Sequence, residues 1–343
     1  MEQFNPERHV RVLTVPDAAS NRGAELLLSQ GPPVRNGQPP WEIVLINRPG
    51  GYSLGFHADH GLFDGALITT LLRALLADLP TAGPVPPRPV RPRWAGLTST
   101  LAQQVALLEA AQPTPAFTAS NRDPRRVRHA DVPVAQLRVL ARAHGTSVND
   151  VYLAALARAV HLWQQRRSDI THPPLATGVP VSFRRAEEEG ALGNRSGVAH
   201  IVLPCDDPSP VQTLRRVTLQ TARQKELRQR DALRLLTALT PGAAAVRLVG
   251  RLAPPLTASN VTFGSALTYR GAIAQAAYGI IDVHGPNQVF TSLVSHHDSA
   301  RLTLVHHPDT PIGPHLPALW LTALQEMDPD SQEASGEIGS MTS

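Results

Sequence analysis

Between Gly55 and Gly65 the chain reads Gly-Phe-His-Ala-Asp-His-Gly-Leu-Phe-Asp-Gly, the densest grouping of chemistry-bearing side chains in its 343 residues. A histidine in a loop held by a rigid scaffold can take up a proton near neutral pH, since its unperturbed pKa is about 6.5. His60 is therefore the candidate general base. An aspartate four positions later, Asp64, followed by Gly65, can tighten the loop or pair with a cation so that the imidazole keeps one orientation. The competing reading is a capped helix start with incidental histidines.

The elements around this stretch must position it. His9 to Val15 alternates as a strand does, and Ala24 to Ser29 reads as a short helix. Trp41 to Ile46 and Tyr52 to His57 form a hairpin about Asn47-Arg48-Pro49-Gly50-Gly51. Gly65 to Leu79 carries Leu67, Ile68, Leu71, Leu72, Leu75 and Leu76 at helical spacing, so a strand runs through the histidine loop into an amphipathic helix. Six prolines between Pro80 and Trp94 mark an extended linker. Beyond it come helices over Leu97 to Ala111, Val134 to His144 and Val148 to Arg166, the last with Thr146 and Ser147 as cap candidates. Strands follow at Leu175 to Phe183 and Ala199 to Leu203. Two helices between Val211 and Leu252 divide near Pro241-Gly242, Gln288 to Val294 and Arg301 to His307 pair as a hairpin, and a helix spans Pro317 to Glu326. The expected units are 1–80, a linker and helix at 81–127, a second half at 128–327 and a polar tail at 328–343 expected to be disordered.

Composition removes several function classes. Only Cys205 is available, so a disulfide framework and a thiolate zinc cluster are both excluded, and Cys205 is read as a small buried apolar residue. Of the 32 basic residues all but Lys225 are arginine, giving an isoelectric point near 9.8 at a formal charge of only +4. They are scattered, and aromatics are 4%, which is not the pattern of a nucleic-acid binder. No apolar run approaches the roughly 18 residues of a membrane span, and no signal-peptide pattern opens the chain, so a cytoplasmic protein is expected. The histidine pairs His296-His297 and His306-His307 read as solvated strand ends. Arg223 to Arg234 reads as the wet face of a helix, with contact to an anionic membrane as its alternative.

Several short signatures occur in a fixed order: Pro40-Trp41-Glu42, then His60-Gly-Leu-Phe-Asp64-Gly65, Thr118 to Asn121, Arg125-Arg126, and Thr146-Ser147-Val148-Asn149-Asp150-Val151. After these come Val179-Pro180-Val181-Ser182-Phe183-Arg184, Leu192-Gly193-Asn194-Arg195, Leu203-Pro204 and Ser259-Asn260-Val261. Across roughly Val10 to Met327 this series resembles the bacterial wax ester synthase/diacylglycerol acyltransferase family of the chloramphenicol acetyltransferase-like superfamily. The resemblance implies an α/β fold of two similar halves joined by a crossover, with a tunnel between them.

It further implies an O-acyltransferase that moves an acyl group from acyl-CoA, a substrate rather than a cofactor, to diacylglycerol or a long-chain alcohol. His60 would be the base, Asp64 a salt-bridged structural carboxylate, and Gly65 the residue permitting a tight turn into the helix. Trp41, Asn149, Asp150, Ser182, Arg184, Asn194 and Asn260 would be tunnel or structural positions, Arg184 and Asn194 as stabilisers of the fold. Helix capping is the alternative for Asn149 and Asp150. The chain departs from the family pattern at Asp59, where a histidine is usual, and at Thr262-Phe263-Gly264. Against that pattern it begins partway into the first half, which implies an open sheet edge and the loss of any cationic partner for Asp64 located there. Peripheral contact with a membrane or lipid droplet is expected, and no nucleic acid or resident metal. Two other readings stand beside this one: a silent relative that binds lipid or a partner, and a metallohydrolase using His57, Asp59 and His60, which match half of a His-x-His-x-Asp-His pattern.

Overall fold

A computed structural model describes residues 6–16, 21–31, 39–76, 92–110, 116–119, 124–167, 172–188, 190–239, 253–285 and 287–329. The proline-rich linker, the Pro241-Gly242 break and most of the polar tail lie outside the described residues.

The first half is a three-stranded sheet. A helical turn, α1 (Pro6–His9), leads into β1 (Val10–Thr14), which pairs in parallel with β2 (Trp41–Arg48); β2 pairs antiparallel with β3 (Gly51–Ala58). Helix α2 (Asn21–Gln30) packs Leu27 against Val44 and Ile46 of this sheet. Gly23 is required here for space, because a Cβ would stand 2.8 Å from Ile46. One helical turn around, Ala24 and Leu28 of α2 pack instead on Val127, Phe290 and Val305 of the second half. The i, i+4 spacing thus lets one helix serve two sheets.

The second half is a six-stranded sheet with the order β4 (Arg126–Pro133), β11 (Ser299–His306), β10 (Val289–His296), β7 (Leu256–Thr262), β5 (Leu175–Ser182), β6 (Ser196–Leu203). Pro180 is tolerated in β5 because β7 pairs only with Thr177 and Gly178, so no ladder bond is asked of the proline on that side. On one face lie α5 (Val134–Ala143), α6 (Val148–Gln165) and α9 (Leu316–Glu326), whose apolar residues share a core with Leu256, Leu293, Leu302 and Leu304. Helix α6 is buried continuously from Val151 to Val160, and the Tyr152 hydroxyl meets the Thr291 hydroxyl at 2.7 Å. Cys205 is fully buried, as expected, and its carbonyl accepts from His161 Nδ1 at 2.9 Å.

The opposite face of the six-stranded sheet receives α2 and α3 (Gly65–Leu76); Leu72 and Leu76 of α3 pack with Val261 and Val294. The remaining elements are α4 (Trp94–Ala110), α7 (Pro210–Glu226), α8 (Gln229–Leu239) and a small ribbon of β8 (Thr268–Tyr269) and β9 (Ala272–Ile273). Among the described residues no helix is long and apolar enough to cross a membrane.

The structure refines the reading at three points. A helix break falls at Leu227-Arg228, where Arg228 takes a left-handed φ of 51°, while the break expected at Pro241-Gly242 lies outside the described residues. His296, His306 and His307 are buried rather than solvated, because their strands lie inside the sheet and neighbouring segments cross the strand ends; His296 Nε2 accepts the Leu267 amide at 2.8 Å. His297 alone sits on the exposed turn, at φ 51°. Finally, among the described residues the sheet of the first half has three strands and that of the second six.

Candidate active site

The histidine loop is built by local hydrogen bonds. Asp59 accepts the Gly61 amide on its side chain at 2.7 Å, and its carbonyl accepts Leu62 and Phe63, forming a tight Asx turn. The strand leading in is held by the Asp59 amide on the Pro40 carbonyl, at 2.9 Å, beside the start of β2. Trp41 stacks on Phe56 at 5.8 Å and Phe56 meets Phe63 edge-on at 5.9 Å, so an aromatic ladder on the sheet seats the loop from below. His60 Nδ1 lies 3.0 Å from the Phe63 carbonyl oxygen. A carbonyl has no proton to give, so Nδ1 must be the donor and Nε2 carries the lone pair.

Asp64 caps α3: its Oδ1 accepts the Leu67 amide at 2.9 Å, and a carboxylate there is favoured by the helix dipole. Its Oδ2 takes a short bond from Arg184 Nη1 and the Arg195 amide at 2.6 Å. Both charged side chains are buried, with exposures of 2% and 4%. The cation for Asp64 thus comes from the second half, just past β5, and the pair needs no partner from an earlier strand. The rest of the Arg184 guanidinium binds the carbonyls of Ala191 and Gly193 at 2.9 and 2.6 Å, so it also shapes the β5–β6 loop. Ser182 accepts the Arg184 amide at 3.2 Å and turns the chain there.

The same loop reaches His60. Asn194 Nδ2 donates to the His60 carbonyl at 2.7 Å, while its Oδ1 accepts both the amide and the hydroxyl of Ser196. Residues 120 to 134 positions apart therefore grip both ends of the His60-to-Asp64 turn. Asn194 also lines a concavity of about 220 Å³ with Phe183, Arg195, Arg234, Thr237 and Ala238.

Gly65 corrects its expected role. It is absent from the left-handed glycines, and a Cβ there would make ordinary contact with Val261 at 3.8 Å. The turn is made by the Asp64 cap, and glycine is not required for it. Asn149, Asp150 and Asn260 form a separate group. Asp150 is in a capping box with Ser147, whose amide and hydroxyl it accepts at 3.1 and 2.6 Å, and it also accepts the Thr146 hydroxyl. Asn260 Nδ2 donates to Asn149 Oδ1 at 3.3 Å. Strand alternation points Asn260 to the side of Leu256 and Ala258, the α6 face, and Val261 to the α3 face. Among the described residues no hydrogen bond joins this group to His60.

No family model matches the chain. It is 34% identical over 136 residues to a Mycobacterium tuberculosis protein named diacylglycerol O-acyltransferase Tgs4, covering 37% of this chain and 28% of the relative. A second M. tuberculosis protein, named diacylglycerol O-acyltransferase tgs1, is 29% identical over 195 residues, covering 57% and 38%. The chain is thus similar in sequence to proteins named as diacylglycerol O-acyltransferases. It spans about a third of the length of these two curated relatives. The wax ester synthase/diacylglycerol acyltransferase from Marinobacter aquaeolei VT8 has the same fold, with a TM-score of 0.61 at 20% identity over 96% of this chain and 82% of that one. The chain therefore has the chloramphenicol acetyltransferase-like fold.

The arrangement of the histidine loop lends no support to the metal reading. His57 Nδ1 donates to Glu42 at 2.8 Å, Asp59 caps Gly61, and His60 Nδ1 is taken by Phe63. Among the described residues no three His, Cys, Asp or Glu side chains converge as a metal site would require. Glu42 is a contact that sequence reasoning missed: it joins His57 to Arg11, whose guanidinium binds both carboxylate oxygens at 2.7 and 3.1 Å. Burial raises the Glu42 pKa, but the His57 and Arg11 hydrogen bonds outweigh it and hold the carboxyl below its usual range.

Proposed function

We propose that this chain is an O-acyltransferase that moves an acyl group from acyl-CoA to a hydroxyl lipid, diacylglycerol or a long-chain alcohol, to give triacylglycerol or wax ester. The observation that carries the proposal is the His60 tautomer: with Nδ1–H committed to Phe63, Nε2 is the atom free to accept a proton. His60 takes the proton of the acceptor hydroxyl as that oxygen attacks the thioester carbonyl. The tetrahedral intermediate then collapses, the C–S bond breaks, and the imidazolium returns the proton to the leaving CoA thiolate. No group beyond the two substrates is needed for this balance. Arg184 and Asn194 act through the loop, fixing where Nε2 stands rather than touching substrate. The reading places the enzyme in the cytoplasm, with its acceptor drawn from a lipid surface.

The full chain incubated with acyl-CoA and diacylglycerol or a long-chain alcohol is expected to release CoA thiol and form ester. His60→Ala is expected to lower that rate at least ~100-fold, since a positioned base contributes about 10²- to 10⁴-fold. Full activity in His60→Ala overturns the mechanism. A folded protein that binds acyl chains without releasing thiol is the silent relative.

A further inference from the structure

The β5–β6 loop that grips the His60-to-Asp64 turn is itself held from α8. Arg234 of that helix turns inward from a run whose Arg223 and Arg230 are exposed, and it meets Glu188, which is 1% exposed. The guanidinium forks onto the carboxylate, Nη1 to Oε2 and Nη2 to Oε1, both at 2.9 Å, and Nη1 also donates to the Phe183 carbonyl at 3.1 Å. Glu188 Oε2 in turn accepts the Arg185 amide at 3.1 Å. Two points of the loop are thus tied to one arginine. From Phe183 the contacts continue into the site: its amide donates to the Arg195 carbonyl at 2.7 Å, the Arg195 amide donates to Asp64 Oδ2, and Asn194 donates to the His60 carbonyl. The support beneath is firm. The Phe183 ring packs with Leu233 of α8 and fills the room that Gly197 leaves, where a Cβ would clash with it. Gln229, at the start of α8, donates to Ser99 of α4 at 2.8 Å.

We propose that Arg234 and Glu188 are positioning residues for His60, a role that rests on the acyl-transfer reading of that histidine. For stability alone a buried ion pair gains little over an apolar pair of the same volume. A forked pair adds direction, because two parallel N–H···O bonds set an angle as well as a distance. Here the angle is that of the β5–β6 loop against α8, and through Asn194 and the Arg195 amide it sets where the His60 turn stands. What depends on that placement is the tautomer. If the turn slips, the Nδ1–H bond to Phe63 is lost and Nε2 ceases to be the dedicated acceptor.

The test joins turnover of the full chain, with acyl-CoA and diacylglycerol, to nitrogen NMR of its histidine rings, the His60 signals being assigned by their loss in His60→Ala. The double variant Glu188→Gln/Arg234→Met leaves no unpaired charge buried, and circular dichroism checks that it is folded. It is expected to lower kcat about 10- to 100-fold, the scale of a small misplacement of a reacting group, with KM for acyl-CoA within about twofold. In the same variant the His60 ring should pass from the Nδ1–H form to a mixture with the Nε2–H form. Arg234→Lys, which keeps the charge but not the fork, should hold kcat within about threefold of the parent. Arg230→Gln, an exposed change one turn earlier on α8, should leave both readouts unaltered. A folded double variant with unchanged kcat or an unchanged His60 tautomer overturns the proposal, and so does a rise in KM alone. If the parent chain makes no ester, the tautomer by itself decides: a shift upholds the positioning role while the acyl-transfer reading falls, and no shift overturns the role as well.

Discussion

The two sheets of this protein differ in what they bury. The six-stranded sheet is covered on one face by α5, α6 and α9 and on the other by α2 and α3, with β10 buried at every position. The three-stranded sheet packs α2 on one face but leaves Val10, Val12, Tyr52 and Leu54 on the other between 37% and 58% exposed. Yet the candidate base is on the smaller side. The loop that carries His60 is positioned from the larger one, through Arg184, Asn194 and the Arg195 amide. The contrast teaches a division of labour: the light half presents the candidate base, and the well-packed half determines where it stands.

The strongest way to break that picture is Arg184→Met. It leaves the buried Asp64 carboxylate with backbone amides only, and removing one partner of a buried pair costs about 3–5 kcal/mol. Denaturant unfolding should show that loss, and the double variant with Asp64→Asn should recover part of it. A loss under about 1 kcal/mol would mean that the clamp does not couple the halves.

A contrast in core truncation comes next. Leu153→Ala, at a fully buried site on α6, should cost about 2–5 kcal/mol, whereas Leu54→Ala, on the open face of the small sheet, should cost under about 1 kcal/mol. Equal losses would show that the small sheet has a covered core after all.

A further contrast between the two sheets is in pH. His129, His200 and His306, all in the six-stranded sheet, are each held near pKa 4 by burial, against an ordinary 6.5. The unfolded chain therefore takes up protons below about pH 6.5 while the folded chain does not until about 4, and stability falls through that window. The expected loss over the whole window is about 3 kcal/mol for each histidine. Glu42 on β2 acts in the same sense but in a lower window: its net depressed pKa stabilises the small sheet above the usual carboxylate value, and that contribution is lost only as pH falls below about 4.5. Amide exchange should open β4, β6 and β11 before β2 and β3 as acid is added. The reverse order would undo the comparison.

Most strands and helices were legible because each one's periodicity is a local property: the hairpin around Asn47 to Gly51 and the helix after Asp64 come out within a few residues. Strand β4 and the break at Arg228 were not read. The first alternates weakly through charged residues at a sheet edge, and the second depends on a backbone angle that no residue type announces. In the site, His60 and Asp64 were legible by type and spacing. Arg184 and Asn194 were marked as stabilisers, and the structure shows what they hold. The Arg195 contribution was invisible, since a backbone amide has no residue identity.

By itself the sequence determined which side chains are available to act: a histidine and a carboxylate four apart in a loop between strand and helix, an arginine and an asparagine in later motifs, and a single inert cysteine. Only the tertiary structure decided that Asp64 finds its cation in the other half, that Gly65 has no turn to make, and that Asp150 belongs to a helix cap while Asn149 bonds Asn260. The physical reason is range. Periodicity and capping act over a few residues, whereas burial and ion pairing depend on what the folded chain brings within about 3 Å, here across more than a hundred positions.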